Sequence, residues 1–296
     1  MRTYIGLFLL CWLWWMSPVA YAKQTITVWD QLLTHPNNIV PQLLIKALDV
    51  TKPEYGDYEL VASDPMEQGR VIRFLAQSPN IDIAVFGPNK FRETVAIPVR
   101  FPVTGTLLSY RVCLIQQGKQ SLFNGIANLN QLVGSKLVIG QHQDWPDTSI
   151  MEANGLTLWK STKYAILFDQ LSVGRFDCFS RGANEIVQEF ESHPNKGLAI
   201  EDSMMIYYPF PLFYFVNKAN PELAKRVELG LNRVYQSGEY NQMFKQEFGA
   251  SLTKLHLAER NPIELVNPQL TKETEQAMLK FKHQFDDLIK TAGQSK

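Results

Sequence analysis

The sequence predicts an α/β protein of two lobes, each built on a mostly parallel sheet flanked by helices. Three observations predict it. Short β-rich runs alternate with segments of helical period along nearly the whole chain. The alternation falls into two series, each opening strand–helix–strand. Each series is followed by a long strand-like run, at 107–115 and at 207–217. Two long connecting strands are what a chain needs to pass from one lobe to the other and back. A ligand cleft then lies between the lobes, where strand C-termini and helix N-termini converge.

The first series starts with a strand at 24–29. A helix follows at 41–50, with Leu43, Leu44, Ala47 and Leu48 on one face. Residues 58–62 alternate as a strand, and 66–77 form a helix with Val71, Phe74 and Leu75 inward. The run 81–86 is apolar except for Asp82, as expected of a buried parallel strand. The second series has strands at 136–140, 156–159 and 176–179. Helices fall at 148–155, 164–172 and 184–190, the first stopping at Gly155. Two more helices lie at 222–237 and 240–248. The tail from about 251 is first broken by Pro262 and Pro268. It then becomes an amphipathic helix over 272–291, carrying Met278, Phe281, Phe285 and Leu288. These elements divide the chain into a first lobe of 23–109 and 213–296 and a second of 110–212.

Composition narrows the function. The 29 Lys+Arg and 29 Asp+Glu cancel, which excludes a basic nucleic-acid binder. Apolar content of 45% excludes intrinsic disorder. Met1-Arg2, an apolar run over 5–16, Pro18 and Ala20-Tyr21-Ala22 read as a signal peptide cut after Ala22. No later run is long enough to cross a bilayer, so the expected product is exported, most simply to the periplasm. There, Cys113 and Cys178 can pair or stand as buried free thiols, and spacing does not choose between the two. The five histidines are scattered without ligand spacing, so neither metal nor cofactor is expected. No Walker-type loop, Gly-x-Gly-x-x-Gly or Gly-x-Ser-x-Gly is present.

Several segments, in order, carry a family resemblance. They are Ile81-Asp82-Ile83-Ala84, then Arg92, then Leu107-Leu108-Ser109-Tyr110-Arg111-Val112. Leu132-Val133-Gly134-Ser135-Lys136-Leu137 and Leu171-Ser172-Val173-Gly174-Arg175-Phe176-Asp177 follow. Phe213-Tyr214-Phe215-Val216-Asn217-Lys218 and Tyr235-Gln236-Ser237-Gly238-Glu239-Tyr240 complete the series. In this order the chain resembles the extracellular solute-binding proteins of family 3, the amino-acid-binding receptors of ABC transporters. It also resembles a less characterised branch sharing Trp-Pro-Asp-Thr, here 145–148, and Phe-x-Arg-Gly-x-Asn-Glu, here 179–185. The resemblance implies the two-lobed type II periplasmic-binding fold, hinge closure on a small solute, and an inner-membrane permease or a sensor as partner. It implies no enzyme, although Asp147 and Glu185 would be the acid–base candidates on this fold.

The chain departs from the family where the ligand is held. Amino-acid binders carry an acid for the ligand ammonium where this chain has Gly182, and Arg181 adds positive charge beside it. That departure turns the expectation from an α-amino acid to an anionic or carboxylate-bearing ligand. By position Arg92 is the family's carboxylate-binding arginine; the plainer reading is a surface arginine paired with Glu93. Arg181, at a strand end facing the cleft, is a second anion contact or the ion-pair partner of Glu185. Asp147 and Thr148 open a helix able to hold an anion, although Ser149 and Glu152 have the spacing of a capping box. Trp145 either walls the pocket or packs in the core. Trp29 and Asp30 end the first strand toward the cleft, Asp30 being an ammonium contact or the start of a turn.

Overall fold

The computed structural model describes residues 23–78 and 80–292. The leader expected at 1–22, with its cleavage site, lies outside the described residues. In the first part the chain runs β1 (Gln24–Val28), α1 (Asp30–Leu33), α2 (Ile39–Asp49), α3 (Lys52–Tyr55) and β2 (Tyr58–Ala62). It continues α4 (Gln68–Gln77), β3 (Ile83–Phe86), α5 (Lys90–Val95) and β4 (Ile97–Val99). The middle part is β5 (Tyr110–Gln116), α6 (Leu129–Gly134), β6 (Val138–His142), α7 (Pro146–Ala153), β7 (Thr157–Ser161) and α8 (Ala165–Ser172). Then come β8 (Cys178–Gly182), α9 (Ile186–Glu191), β9 (Leu198–Ile200) and β10 (Met204–Tyr207). The last part is β11 (Phe213–Val216), α10 (Pro221–Gln236), α11 (Glu239–Leu255), β12 (Asn261–Glu264) and α12 (Lys272–Ala292).

Two sheets result. The first has the order β2-β1-β3-β11-β4, and the second β12-β10-β5-β8-β6-β7 with β9 also pairing β5. The parallel blocks are β2-β1-β3, β8-β6-β7 and β12-β10. The strands that follow a crossover, β11 and β5, enter antiparallel. β3 is buried at every residue, as its unbroken apolar run requires.

The run 207–217, expected as one strand, is two strands in different sheets. Pro209 and Pro211 lie between them and can donate nothing to a ladder. The ladder therefore stops at Tyr207 and resumes at Phe213 after the chain has changed lobes. The other crossover likewise begins with a short 3-10 turn, Leu107–Ser109, before β5. The two crossovers are bonded to each other, because the Ser109 hydroxyl accepts from the Phe210 N–H at 2.9 Å.

Residues 213–296 do not all follow the first sheet. Asn261–Glu264 adds β12 to the second sheet, parallel to β10. The chain then returns to the first lobe, where α12 places Phe281 and Phe285 against Phe101 and Tyr240 (centroids 5.5 Å apart for Phe101–Phe281 and Tyr240–Phe285). In the same lobe, α10 packs on α2 so closely that a Cβ at Gly230 would stand 2.0 Å from the Ala47 carbonyl oxygen. In the second lobe, Cys113 of β5 and Cys178 of β8 are joined in a buried disulfide.

Candidate ligand-binding site

A cavity of about 310 Å³ lies between the two sheets, near the lower end of the range for small-molecule sites. The first lobe supplies Trp29 at the end of β1, His35, Gln68 at the start of α4, and Arg92 of α5. The crossovers supply Leu108 and Phe210. The second lobe supplies Arg111 of β5, Trp145 and Asp147 at the start of α7, Arg181 of β8, and Glu185. Six of the residues singled out from sequence thus meet here: Trp29, Arg92, Trp145, Asp147, Arg181 and Glu185.

Arg92 is set by its helix. The Asn89 side chain caps α5 by accepting from the Arg92 N–H at 2.8 Å. The guanidinium donates to the Gly87 carbonyl and to Gln68 Oε1, both at 2.7 Å, and lies over the Phe86 ring. Glu93 pairs with Arg100 instead, at 2.6 Å. Among the described residues Arg92 forms no ion pair. Burial lowers its pKa to about 10, with the charge of Asp147 acting in the opposite sense.

Arg181 differs. Its Nε and Nη2 donate to the two Glu189 oxygens at 2.6 Å each, and Nη2 lies 2.8 Å from Glu185 Oε2. Its guanidinium sits 4.6 Å from the Trp145 ring centroid. Of the two readings of Arg181, the ion pair with Glu185 forms, and Glu189 adds a second carboxylate from the same segment after β8. Arg111 and Asp147 form a third charged group. Arg111 Nη2 is 2.5 Å from Asp147 Oδ1, and the Tyr208 hydroxyl donates to the same oxygen at 2.5 Å. Asp147 and Glu185, named above as acid–base candidates, are each held by a guanidinium.

Two expected contacts are absent from the cavity wall. Thr148 is buried and its hydroxyl donates to the His142 carbonyl at 2.8 Å, closing the β6–α7 turn. Asp30 orders the loop beyond β2, accepting from the Met66 N–H at 3.4 Å, and does not reach the cavity. The capping box does not form either. Trp145 is the N-cap of α7 with Pro146 at the first position, and Ser149 donates to the Pro146 carbonyl. Trp29 is turned by a 3.0 Å bond from its Nε1 to the Met66 carbonyl, so its ring packs on Phe86 and faces the cavity.

No known protein-family model matches the chain, and no curated protein matches it. Solved structures do. A glutathione-import binding protein of Streptococcus mutans superposes with a TM-score of 0.58 at 14% identity, covering 77% of this chain and 96% of its own. An arginine-specific periplasmic binding protein of Salmonella typhimurium gives 0.55 at 16%, covering 77% and 100%. The arginine-, lysine-, histidine-binding protein ArtJ of Geobacillus stearothermophilus gives 0.53 at 18%, covering 77% and 96%. The chain has the two-lobed type II fold of the periplasmic binding proteins.

In a binding-protein fold the contacts between lobes define closure. Here Asn37, before α2, donates through Nδ2 to the Asn184 carbonyl at 2.7 Å, and Asn184 Nδ2 donates to Asn37 Oδ1 at 2.8 Å. Both residues are buried. Asn184 also accounts for Gly182: a Cβ there would stand 2.5 Å from Asn184 Oδ1 and 3.0 Å from Leu108. Position 182 thus has room for a side chain only if Asn184 moves. Sequence reasoning missed Arg111, Gln68, His35 and the Asn37–Asn184 pair as parts of the cleft. A charged residue inside the apolar run of β5 was the one available signal, for Arg111. The others come from loops or helix starts whose neighbours only the tertiary fold determines.

Proposed function

We propose that the protein is a periplasmic solute-binding protein that closes its lobes on a small anionic or carboxylate-bearing solute. It then presents the closed form to the permease of an ABC-type transporter. One observation carries the reading: Arg92 lies in an interlobe cavity with no carboxylate paired to it. A guanidinium desolvated in this way is a strong site for a carboxylate. Closure gives a ligand that touches both lobes an affinity the open form lacks. Export through the signal peptide, with cleavage after Ala22, belongs to this reading. Binding rather than catalysis fits the engagement of Asp147 and Glu185, the two acid–base candidates, by arginines.

A second reading, a sensor for a signalling receptor, has its own support. The ligand-binding core of GluR0, solved with L-glutamate, superposes with a TM-score of 0.56 at 11% identity. A thermal-shift screen of small metabolites tests solute binding in either role. A ligand at a hundredfold excess over its dissociation constant stabilises by about 2.7 kcal/mol. No shift with any metabolite would reject the proposal. For a positive hit, binding by a purified permease complex or by a receptor ectodomain separates transport from sensing.

A further inference from the structure

We propose that the segment 184–191 is a latch that holds the lobes together before any solute arrives, so that the solute-free protein rests closed. This regulates the same cleft and rests on the solute-binding reading. The latch has two halves, one on each lobe. On the second lobe a short stretch carries both contacts, Asn184 just before α9 and Glu191 at its end. On the first lobe the partners are Asn37, before α2, and Lys254 of α11. Asn37 and Asn184 exchange the two amide hydrogen bonds of 2.7 and 2.8 Å, and are only 3% and 6% exposed. Lys254 pairs with Glu191 at the surface, and α9 packs on α11.

Each half is pinned to its own lobe. Glu247 of α11 accepts the Asn38 N–H at 2.7 Å, which ties the turn holding Asn37 to the helix that carries Lys254. Lys254 lies about two turns further along that helix, on the same face as Glu247. In the second lobe Glu185 and Glu189 hold Arg181 of β8, at 2.8 and 2.6 Å, and so fix the stretch between Asn184 and Glu191 against that sheet. The lobes therefore meet through parts that are rigid on both sides, and opening must break the contacts together. The exposed ion pair contributes little to this. The amide pair is buried and carries most of it. Asn37, Asn184, Glu191 and Lys254 are all outside the cavity wall. They bias the open–closed equilibrium without touching the solute. The closed form is the competent one, so the larger its resident fraction, the smaller the apparent dissociation constant.

Small-angle X-ray scattering on the full exported chain tests this with no solute added. The protein is first unfolded in denaturant, dialysed and refolded with its disulfide intact, which strips any solute carried through purification. The wild-type curve should fit the conformation in which Asn37 meets Asn184. Asn37→Ala removes the amide pair and leaves the cavity wall as it was. Its curve should move to a larger radius of gyration with an unchanged circular-dichroism spectrum, which separates opening from unfolding. A wild-type curve that fits only an opened molecule would overturn the proposal. An Asn37→Ala curve that superposes on wild type would do the same. Should Asn37→Ala fail to fold, Lys254→Glu decides. Repulsion from Glu191 should open the molecule, and the exchange Lys254→Glu/Glu191→Lys should close it again. A Lys254→Glu curve that does not move, or one that the exchange does not restore, would then overturn the latch. The solute-binding reading is scored separately by the thermal-shift screen. If the curves move as stated and no metabolite raises the melting temperature, the latch stands and that reading falls. If a metabolite raises it and the curves do not move, the latch falls alone.

Discussion

Arg92 and Arg181 line one cavity with the same charge, and their neighbours give them different work. Arg92 is held by a carbonyl and an amide, so its removal strands no charge. We expect Arg92→Ala to cost ~2–5 kcal/mol of binding, the usual loss for one partner of a desolvated charged contact, with little change in melting temperature. Arg181→Ala should do the reverse to stability, because Glu185 and Glu189 would lose their shared cation; breaking such a buried group costs ~3–5 kcal/mol. Calorimetry and a melting curve on the two variants check both. His35 gives a pH dependence. Burial lowers its pKa to about 4. The unfolded chain takes up the proton first, so this contribution is fully present above pH 6.5 and is lost as pH falls toward 4. At pH 5 the loss should be about 1–2 kcal/mol. Denaturant titrations of His35→Gln should show a shallower decline between pH 6.5 and 4 than wild type; equal slopes would exclude His35 as the source.

At the level of elements, close approach and cross-linking replace side-chain chemistry. Gly230→Ala would raise intrinsic helix propensity by about 1 kcal/mol, yet we expect net destabilisation, because the new methyl meets the Ala47 carbonyl across α10 and α2. A higher melting temperature in that variant would contradict the packing. The Cys113–Cys178 bond closes a sequence separation of 65 residues, for which the chain-entropy account gives about 4 kcal/mol. Reduction under native buffer should therefore lower the melting temperature markedly, and in Cys113→Ser/Cys178→Ser reductant should have no effect. Elements of this kind were legible in sequence where the apolar period was strong, as in α2, β3 and α10. Where two prolines cut an apolar run, at 208–212, period alone merged two strands of different sheets. In the site, Trp145 could be placed because it lies between a readable strand and a readable helix, and Arg92 only through the family resemblance. For Arg181 the sequence offered Glu185 but not Glu189, which lies one helical turn into α9 and is brought back over β8 only by packing. The Asn184 side chain beside Gly182 is likewise a tertiary fact that the sequence does not announce.

At the scale of the whole molecule, the segment after α11 links the lobes beyond what the two crossovers do. β12 is held by β10 in the second sheet, and the Leu265 N–H donates to the Tyr207 carbonyl at 2.8 Å. α12 is held in the first lobe by aromatic packing and by Thr274, whose hydroxyl donates to Glu93 Oε1 at 2.8 Å. Tyr110, at the start of β5, donates to Asp286 of α12 at 3.0 Å. A chain ending at Leu255 would uncover Phe101, Tyr235 and Tyr240, and we expect it to melt well below the full chain. Two adjacent crossovers alone would let one lobe both bend and swivel about the other. A further pair of crossings, anchored beside the same hinge through β10, acts like a second pair of straps on a door: bending stays open to thermal motion while torsion is resisted. The lobes should then meet along one line of approach, so that Asn37 and Asn184 arrive in register each time the cleft shuts.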